Sequence, residues 1–548
     1  MKNNKKSLLV GGLVSSAGLF IAKFLSIFYT IPFDAILKSA EYKAVYGGAY
    51  GVYSYVLTIA QAGLPFAIAT LVSRYMARDD YKTTLLVRKV SFYTMTAFGF
   101  ICMLFLLVAS GPLASQMASK PALVPLYRNS LVILSLAVFI IPILSSVRGF
   151  YQGLKEIHVY SASQIVEQIV RILFLLIVSG IAIYVLDFGR YWAVYFGVIA
   201  TSVSGVVTIA YIKRNDSKTI KPVVELANQQ EKEPVDAKII FRELIILAIP
   251  FLINAAFGYC DQFLNIIDFK PGLEAFGRQS GTLINASIID MYQDAVLYKA
   301  MKLIAIPMVL APGFSSAIYP YITEARERNQ PKVVSKYVVE CVESVVYICL
   351  PICVALALFA RPILYTLYGV SGEYSELYVN TLQWFTIEGI SATICPIFAS
   401  LVIALGRRKQ IIYTTMVFGV TKLLTNRLFI SMFGVPGMVL SSLLAYIIFA
   451  GLNIYIIQKE CQVNWKYSFR KLIFILTGLV GMFLVSMVFN WTGLLNYSGN
   501  RIVSLLLLGF MGILTVGVYA AITLYCNIPQ SIFHFDLDGI KNKFRRGK

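Results

Sequence analysis

Isolated charged residues lie inside long apolar stretches of this chain, where burying a charge is costly. Lys23 lies near the middle of an apolar stretch from about residue 7 to residue 32, and Asp261, Lys302 and Lys422 lie in later stretches. A charge at the centre of a membrane helix costs about 2.5–3.5 kcal/mol on insertion scales, so such residues usually face a bundle interior or a water-filled cavity. The basic residues among them would suit an anionic ligand, and all four are candidates for function.

Two lysines in one later stretch could form a cationic patch. Lys299 and Lys302 are three residues apart and therefore share one face of a helix. They could bind an anionic substrate, or they could take part in a local charge network with Asp294 and Asp290, one and two turns earlier. Lys302 lies deeper in the stretch, so the functional interpretation is stronger for Lys302 than for Lys299.

Acidic residues in the apolar stretches have two alternative roles. Glu167 and Arg171 are four residues apart with the glutamate first, the better order for an intrahelical ion pair, so a structural pair is the default. Asp261, beside Gln262, could pair with a cavity lysine or help to hold a coupling cation. Pairing is favoured, because a sodium site needs several oxygen ligands and the sequence does not show them converging.

Three further polar residues lie in later apolar stretches. Lys422 and Asn426 form another polar step at a spacing of four residues, and Glu388, near Gly389, is a candidate for proton coupling. Because these side chains would be buried in the membrane, we expect each to carry charge or to contribute to coupling.

The signatures of several enzyme and metalloprotein classes are missing. No Gly-rich loop ending in Lys-Ser/Thr is present, which argues against an ATPase. The two histidines, His158 and His534, are isolated, and the eight cysteines are scattered, so we predict no metal site and no disulfide. The sequence favours a transporter without a cofactor over an enzyme. Its driving force would be an ion gradient, the membrane potential, or supply and consumption of substrate.

The composition is that of a membrane protein. Of 548 residues, 58% are hydrophobic and 14% are charged, whereas a soluble protein would have about 25% charged residues. A helix that crosses the hydrocarbon core needs about 20 apolar residues, and that window gives about fourteen candidate spans. Their approximate ranges are 8–32, 46–73, 90–111, 129–151, 161–185, 191–212, 241–266, 294–320, 334–360, 378–404, 411–431, 437–458, 471–491 and 501–526. The sequence therefore predicts an all-α, multi-pass membrane protein.

The excess of basic residues follows the predicted topology. The chain has 48 Lys and Arg against 28 Asp and Glu, a net charge of +20. If the N-terminus is cytoplasmic, about 33 basic residues fall in inner segments and about 9 in outer loops, as the positive-inside rule requires. We therefore predict a cell-membrane protein with both termini in the cytoplasm, whose basic residues meet anionic lipid rather than nucleic acid.

A weak internal repeat divides the spans into two groups of six and a final pair. A glycine followed by basic residues forms an inner turn at 148–156 and again at 405–409, and Asp261 falls at the position that corresponds to Lys23. Parallel repeats of this kind place a binding site at the lobe interface, near the middle of the membrane. The predicted organisation is an N-terminal lobe at 1–212, a solvated cytoplasmic linker at 213–238, a C-terminal lobe at 239–459, an appended two-helix hairpin at 460–528 and a basic amphipathic cytoplasmic tail at 529–548.

Five short motifs, taken in order and spacing, resemble one family of transporters. They are Gly18-Leu-Phe-Ile-Ala-Lys23-Phe-Leu, Arg148-Gly-Phe-Tyr-Gln-Gly153, Glu167-Gln-Ile-Val-Arg171, Lys302-Leu-Ile-Ala-Ile-Pro307 and Lys422-Leu-Leu-Thr-Asn426-Arg-Leu. Over essentially its whole length the chain is similar to the MurJ-type flippases of the peptidoglycan precursor lipid II, in the Gram-positive form (the YtgP and SpoVB-like proteins). That group is a polysaccharide-exporter branch of the multidrug/oligosaccharidyl-lipid/polysaccharide (MOP) superfamily.

The resemblance implies two six-helix lobes in a V shape, which alternate access to a cationic central cavity. Lys23 and Lys302 occupy the places of basic residues that would meet the substrate diphosphate, and the last two spans would line a groove for its polyprenyl tail. The second span departs from Gram-negative relatives because it has no basic residue before Arg74; Gln61 lies where charge would be expected. Lys422 could supply fixed positive charge where some relatives hold sodium.

The activity that the resemblance implies is translocation of lipid II from the inner to the outer leaflet, with cell-wall synthesis proteins as candidate partners. The first alternative is a flippase for another undecaprenyl-linked glycan, of capsule or teichoic-acid type. A cation-coupled multidrug exporter is less favoured, because such proteins typically have twelve helices and acidic cavities. A glycan polymerase or ligase would need a large outer loop rich in catalytic carboxylates or arginines, and the longest outer loop, 268–290, has few.

Overall fold

The chain is helical throughout the part that the structure describes. The computed structural model describes residues 29–61, 63–308, 318, 321–322, 325–326 and 328–533, and these contain no strand. The all-α fold class is therefore confirmed for this part of the chain. Lys23 and most of the predicted cytoplasmic tail lie outside the described residues.

Short connections join successive helices. In chain order the α-helices are α1 (Thr30–Leu37), α2 (Ala40–Gln61), α3 (Leu64–Met76), α4 (Tyr81–Met117), α5 (Val124–Gly153), α6 (Ile157–Tyr184), α7 (Tyr191–Thr219), α8 (Lys221–Gln229), α9 (Ala237–Gly258), α10 (Cys260–Ser280), α11 (Ala286–Gln293), α12 (Pro331–Leu358), α13 (Ala360–Tyr368), α14 (Ser375–Ala404), α15 (Arg408–Phe433), α16 (Val435–Cys461), α17 (Lys466–Trp491), α18 (Arg501–Tyr525) and α19 (Ile528–Phe533). A π-helical segment, Asp294–Ala300, follows α11 and continues into the helical residues 301–308.

Twelve helical runs among the described residues are long and apolar enough to cross a membrane. Each overlaps one of the predicted spans, and the longest, Ala237–Ser280, combines α9 and α10. Of the first predicted span (8–32) only residues 29–32 are described, and the eighth (294–320) is also described only in part. A multi-pass membrane protein is therefore confirmed, whereas the total of fourteen spans stays a prediction.

The helices pack into two compact units. The first comprises Met1–Tyr298 together with Lys422–Gly434, and the second comprises Lys299–Thr421 together with Val435–Lys548. The second half of α15 therefore belongs to the first unit. This division differs from the predicted lobes, which meet at residues 213–238, and the lobe boundaries stay a prediction.

Two glycines allow α3 and α5 to pack closely in the first unit. A Cβ atom on Gly149 would lie 2.8 Å from the carbonyl oxygen of Pro65, and one on Gly153 would lie 2.5 Å from Cβ of Val72. Ser73 Oγ donates a hydrogen bond to the Gly153 carbonyl oxygen at 2.8 Å. Small residues spaced four apart permit this approach of membrane helices. The glycines of the motif after the fourth span are therefore packing residues.

Helical structure continues through most of the segment that the sequence predicts as a solvated linker. α7 extends to Thr219, and α8 follows after one residue. Val223 and Ala227 are buried on one face of α8. The segment is helical because its polar composition includes apolar residues at a helical spacing, and its place as a cytoplasmic linker stays a prediction.

The start of α4 holds the residues that follow α8. The backbone N–H of Tyr81 donates to Gln230 Oε1 at 2.7 Å, and Gln230 Nε2 donates to Asp80 Oδ1 at 3.1 Å. Burial acts to raise the pKa of Asp80, but hydrogen bonds from Gln230 and Thr83 prevail, and the pKa is lowered. Because the first N–H groups of a helix need partners, this polar segment is bound rather than free.

Candidate functional site

Two arginines and one glutamate form a buried ionic network in the first unit. Glu167 on α6 lies between Arg171, one turn along the same helix, and Arg148 near the end of α5. Glu167 Oε1 lies 2.5 Å from Arg171 Nη2, and Glu167 Oε2 lies 2.9 Å from Arg148 Nη1. The three side chains are only 10–16% exposed. The predicted Glu167–Arg171 pair is therefore present, and Arg148 joins it from another helix.

Hydrogen bonds hold both guanidinium groups and leave donors to spare. Arg171 Nη1 donates to the Tyr50 hydroxyl on α2 at 3.1 Å, and Arg148 Nε donates to Ser163 Oγ at 2.8 Å. Arg148 Nη2 and Arg171 Nε are buried without a hydrogen-bond partner among the described residues. The network is thus anchored to three helices and retains unused N–H groups.

The network carries net positive charge inside membrane-spanning helices. Two guanidinium groups remain protonated, and one carboxylate leaves one positive charge uncompensated within the network. A buried charge without a counter-ion is costly, so such a site attracts an anion. Guanidinium donors match the geometry of phosphate oxygens. The arrangement can therefore bind a phosphate-bearing ligand.

Tyrosines on α2 lie beside this network. The Tyr50 ring is stacked on Tyr46, with centroids 5.8 Å apart, and lies 5.3 Å from the ring of Tyr53. Tyr46 and Tyr53 are buried, whereas Tyr50 is half-buried. The second predicted span has no basic residue before Arg74. Arg171, from α6, therefore brings positive charge beside Tyr50, in a predicted span that has no basic residue of its own.

Gln61, predicted to bind substrate, lies half-buried at the end of α2. Its Nε2 donates a hydrogen bond to Ser145 Oγ on α5 at 2.8 Å. Ser145 is one turn before Arg148, so Gln61 meets the same side of α5 that carries the arginine. Near the start of α2, Lys43 forms a buried ion pair with Asp34 at 2.9 Å.

A second polar cluster joins α10 to the last half of α15 within the first unit. Lys422 and Asn426 are fully buried one turn apart, and Asn426 Nδ2 donates to Asp268 Oδ2 at 3.0 Å. Asp261 and Asn265 are also buried, at spacings of seven and three residues before Asp268, and share its face of α10. The structure therefore places three predicted coupling residues on two neighbouring helices.

The geometry of α10 suits buried polar groups. A break at Tyr259 starts α10, so that Asp261 lies in its first turn, where negative charge is stabilised by the helix dipole. Asp261 Oδ1 accepts a hydrogen bond from the backbone N–H of Gln262 at 2.7 Å. Both amide atoms of Asn265 are buried without a hydrogen-bond partner in the described part of the chain.

In the second unit, the two predicted lysines have different environments. Lys299 is 1% exposed, and its Nζ lies 4.8 Å from the ring centroid of Tyr378 and 5.4 Å from that of Tyr368, which is cation–π geometry. Lys302 is half-buried. The shared face expected from α-helical spacing is altered because Lys299 belongs to a π-helical turn. The Nζ atom of Lys302 is nevertheless buried, so both lysines hold their ammonium groups inside the second unit.

Glu388 is buried on α14, the helix that packs against residues 301–308. A Cβ atom on the adjacent Gly389 would lie 3.2 Å from Cβ of Ile304. Glu388 is thus placed on a helix in contact with the one that carries Lys302, and both belong to the second unit. Its suggested part in proton coupling stays a prediction.

Asp290, a candidate counter-charge for the lysines, is buried on α11. Its Oδ1 accepts a hydrogen bond from Ser119 Oγ at 2.6 Å. Burial raises the pKa of Asp290, against the opposing effects of that hydrogen bond and of Lys120. Lys23, the first candidate in the sequence, lies outside the described residues.

Sequence reasoning missed Arg148, Asn265 and Asp268 as site residues. Arg148 opens the inner-turn motif, which also supports the family resemblance, and its partner Glu167 lies on another helix. Asn265 and Asp268 follow Asp261 at spacings of four and seven residues. That helical periodicity is the signal by which they could have been found.

Two family models together cover most of the chain. Residues 8–271 match the model described as a polysaccharide biosynthesis protein. Residues 274–509 match the model of the lipid II flippase MurJ. The two matches meet near the end of α10.

Curated relatives extend the match over the full length. The chain is 26% identical to the lipid II flippase MurJ of Bacillus subtilis (strain 168) over 561 residues, which covers 99% of each chain. It is 25% identical to stage V sporulation protein B of the same organism over 379 residues, which covers 67% of this chain and 68% of the relative.

Solved structures show the same fold. An inward closed conformation of the lipid II flippase MurJ has a TM-score of 0.67 at 13% identity and covers 94% of this chain and 99% of that chain. An inward-facing multidrug-resistance MATE transporter has a TM-score of 0.60 at 14% identity, covering 79% and 98%. Residues 274–509 therefore belong to the MurJ family by their family model, and the chain has the fold of the MurJ and MATE transporters.

Proposed function

We propose that this protein is a flippase that moves lipid II from the inner to the outer leaflet of the cell membrane. The full-length likeness to a lipid II flippase supports this function. The observation within the chain that carries the proposal is the Arg148–Glu167–Arg171 network, which holds net positive charge and unused guanidinium donors inside membrane helices.

A lipid-linked diphosphate needs such a site because its head group cannot cross hydrocarbon unaided. The transfer of an ion from water to an apolar medium is prohibitively expensive unless protein groups replace its hydration. Guanidinium and ammonium groups around a wet cavity replace that hydration, while the polyprenyl tail stays in lipid. A neutral or acidic cavity would not stabilise the diphosphate.

The proposed ligand contacts divide between charge and hydrogen bonding. Lys23 and Lys302 supply ammonium groups to the diphosphate, as the resemblance implies. Arg171 adds a guanidinium group beside Tyr50, in compensation for the missing basic residue of the second span. Gln61 contributes its side-chain amide to polar contacts with the head group. Lys299, which lies beside two tyrosine rings, adds to the positive electrostatic potential around Lys302.

Coupling is proposed to depend on the polar cluster of α10 and α15. There the permanent positive charge of Lys422 takes the place of a bound cation, so transport does not require sodium at this position. Asp261 and Asn426 hold the lysine in place. Glu388 is the proposed proton-responsive group. No resident cofactor is needed.

The proposed orientation places both termini in the cytoplasm, because basic residues are concentrated in the predicted inner segments. The substrate then enters from the inner leaflet, where a precursor made in the cytoplasm is available. Cell-wall synthesis proteins that use the flipped precursor are the proposed partners on the outer side.

The identity of the glycan can be tested by binding to the purified full-length chain in nanodiscs. We expect lipid II to bind more tightly than undecaprenyl-linked capsule or teichoic-acid units. Arg171→Gln should weaken lipid II binding about tenfold or more, since a hydrogen bond to a charged group contributes about 1.5–3 kcal/mol. Arg171→Lys, which keeps the charge but loses the guanidinium geometry, should lose less affinity than Arg171→Gln.

Two results would count against the proposal in different ways. Equal or tighter binding of another undecaprenyl-linked glycan would favour the alternative flippase and leave the phosphate site intact. Unchanged lipid II binding by Arg171→Gln, in a variant with unaltered thermal unfolding, would remove the network from the phosphate site.

A further inference from the structure

A cavity of about 290 Å³ lies in the second unit, between α12, α14, α16 and α17. Its wall is mainly apolar and includes Val346, Phe398, Ile454 and Ile475. No residue of α18 lines it, so it is distinct from the groove expected between the last two spans. The cavity is therefore a separate place where a hydrocarbon chain can be buried.

One end of the cavity is polar and incompletely hydrogen-bonded. Lys471 Nζ donates to Glu343 Oε2 at 2.7 Å. Glu343 is 5% exposed, and its Oε1 has no hydrogen-bond partner among the described residues. Ser468 Oγ, on the same lining, is likewise buried and unpartnered in the described part.

The buried, unpartnered atoms Glu343 Oε1 and Ser468 Oγ indicate which chemical groups a ligand of this cavity would carry. A buried acceptor or donor without a partner costs about 1–3 kcal/mol, which a ligand recovers by bonding to it. Glu343 Oε1 needs a donor, whereas the Ser468 hydroxyl can donate. Lys471 has three donor hydrogens and uses one on Glu343. The ligand therefore needs a hydroxyl, an anionic oxygen acceptor and an apolar chain.

The surrounding charge favours an anionic ligand from the membrane. Between residues 459 and 471 the chain has four basic residues (Lys459, Lys466, Arg470 and Lys471) and one acidic residue (Glu460), a net charge of +3. This segment is one of the predicted inner ones, and juxtamembrane basic residues attract anionic lipids of the inner leaflet. Trp465, at the start of α17, also lines the cavity and suits the membrane–water interface.

We propose that this cavity binds an anionic glycerophospholipid with a hydroxyl-bearing head group, of the phosphatidylglycerol type. One acyl chain lies along Val346 and Ile475. The phosphate accepts hydrogen bonds from Lys471 and Ser468, and a glycerol hydroxyl donates to Glu343 Oε1. The bound lipid is a structural partner of the second unit, and the proposal does not depend on which substrate the protein transports.

The test compares lipids retained by the purified full-length chain. The protein is supplied with equal amounts of phosphatidylglycerol and phosphatidylcholine, and bound lipid is counted by native mass spectrometry. About tenfold more phosphatidylglycerol than phosphatidylcholine should be retained. The reason is the hydrogen bond from the glycerol hydroxyl to the Glu343 carboxylate, which phosphatidylcholine cannot form.

Variants locate the lipid. Ile475→Trp fills the cavity and should abolish the preference, whereas Leu476→Trp, at a neighbouring exposed position outside the lining, should keep it. Ser468→Ala should weaken phosphatidylglycerol binding about tenfold or more, since a hydrogen bond to the charged phosphate contributes about 1.5–3 kcal/mol. If Ile475→Trp does not fold, Ser468→Ala tests the proposal instead, and unchanged phosphatidylglycerol binding by that variant would contradict it.

Three further outcomes would overturn the proposal. One is equal retention of the two lipids by the unaltered chain. Another is a folded Ile475→Trp variant that keeps the preference for phosphatidylglycerol. The third is displacement of phosphatidylglycerol by undecaprenyl phosphate in the unaltered chain but not in Ile475→Trp, which would assign the cavity to the substrate tail.

Discussion

Glu167 holds two arginines whose combined charge exceeds its own. The spacing of four residues predicted its pair with Arg171, because neighbouring turns of one helix bring such side chains together. The link to Arg148 could not be predicted from spacing, since it depends on how α5 packs against α6. The same limit applies to Asp268, which meets Asn426 across two helices. Contacts within one helix were therefore predictable, and contacts between helices were not.

The glutamate of the network should be required for stability. Glu167→Ala would leave two buried guanidinium groups close together without a counter-charge, so we expect the free energy of unfolding to fall by about 3–5 kcal/mol. Glu225→Ala on the exposed face of α8 is the control and should change it by less than about 0.5 kcal/mol. Chemical denaturation in detergent measures both variants. Equal effects of the two substitutions would show that Glu167 does not neutralise the arginines.

Helices were predicted well where length and apolar composition decide them. All twelve candidate spans among the described residues overlap predicted ones. The π-helical turn at Asp294–Ala300 and the helix α8 were not predicted. A π-helical turn adds one residue to the turn without changing hydropathy, and α8 is too short and polar to pass a membrane-span window. Local hydropathy therefore predicts spans but not the irregular turns that orient their side chains.

The close packing of α3 on α5 should depend on glycine. In Gly149→Ala the new methyl group would meet the Pro65 carbonyl oxygen at 2.8 Å, and overpacking of this kind costs about 1–3 kcal/mol. Gly111→Ala on α4 is the matched control, because a Cβ atom there has nothing within 4 Å. Thermal unfolding of the purified variants measures the difference. A Gly149→Ala protein as stable as Gly111→Ala would mean that these helices are not held in close contact.

At the scale of the whole molecule, the family resemblance predicted more about function than the residue patterns did. Composition and charge distribution established a multi-pass membrane protein, but no pattern in the sequence specified a diphosphate or its glycan. The MurJ family model over residues 274–509, the full-length likeness to a lipid II flippase and the MurJ fold then agreed with that resemblance. The proposed phosphate contacts could not be predicted completely, because Arg148 and Arg171 are brought together by tertiary packing and the second predicted span lacks the expected basic residue.

Exposure of lipid II at the outer surface of living cells tests the central claim most directly. Cells depleted of the native protein would carry either the unaltered chain or the Lys23→Ala/Lys302→Ala double variant at equal membrane abundance. We expect the double variant to leave lipid II unexposed, because the diphosphate loses both ammonium partners while packing residues are untouched. Exposure at the level of the unaltered chain would contradict the cationic phosphate site on which the proposed function rests.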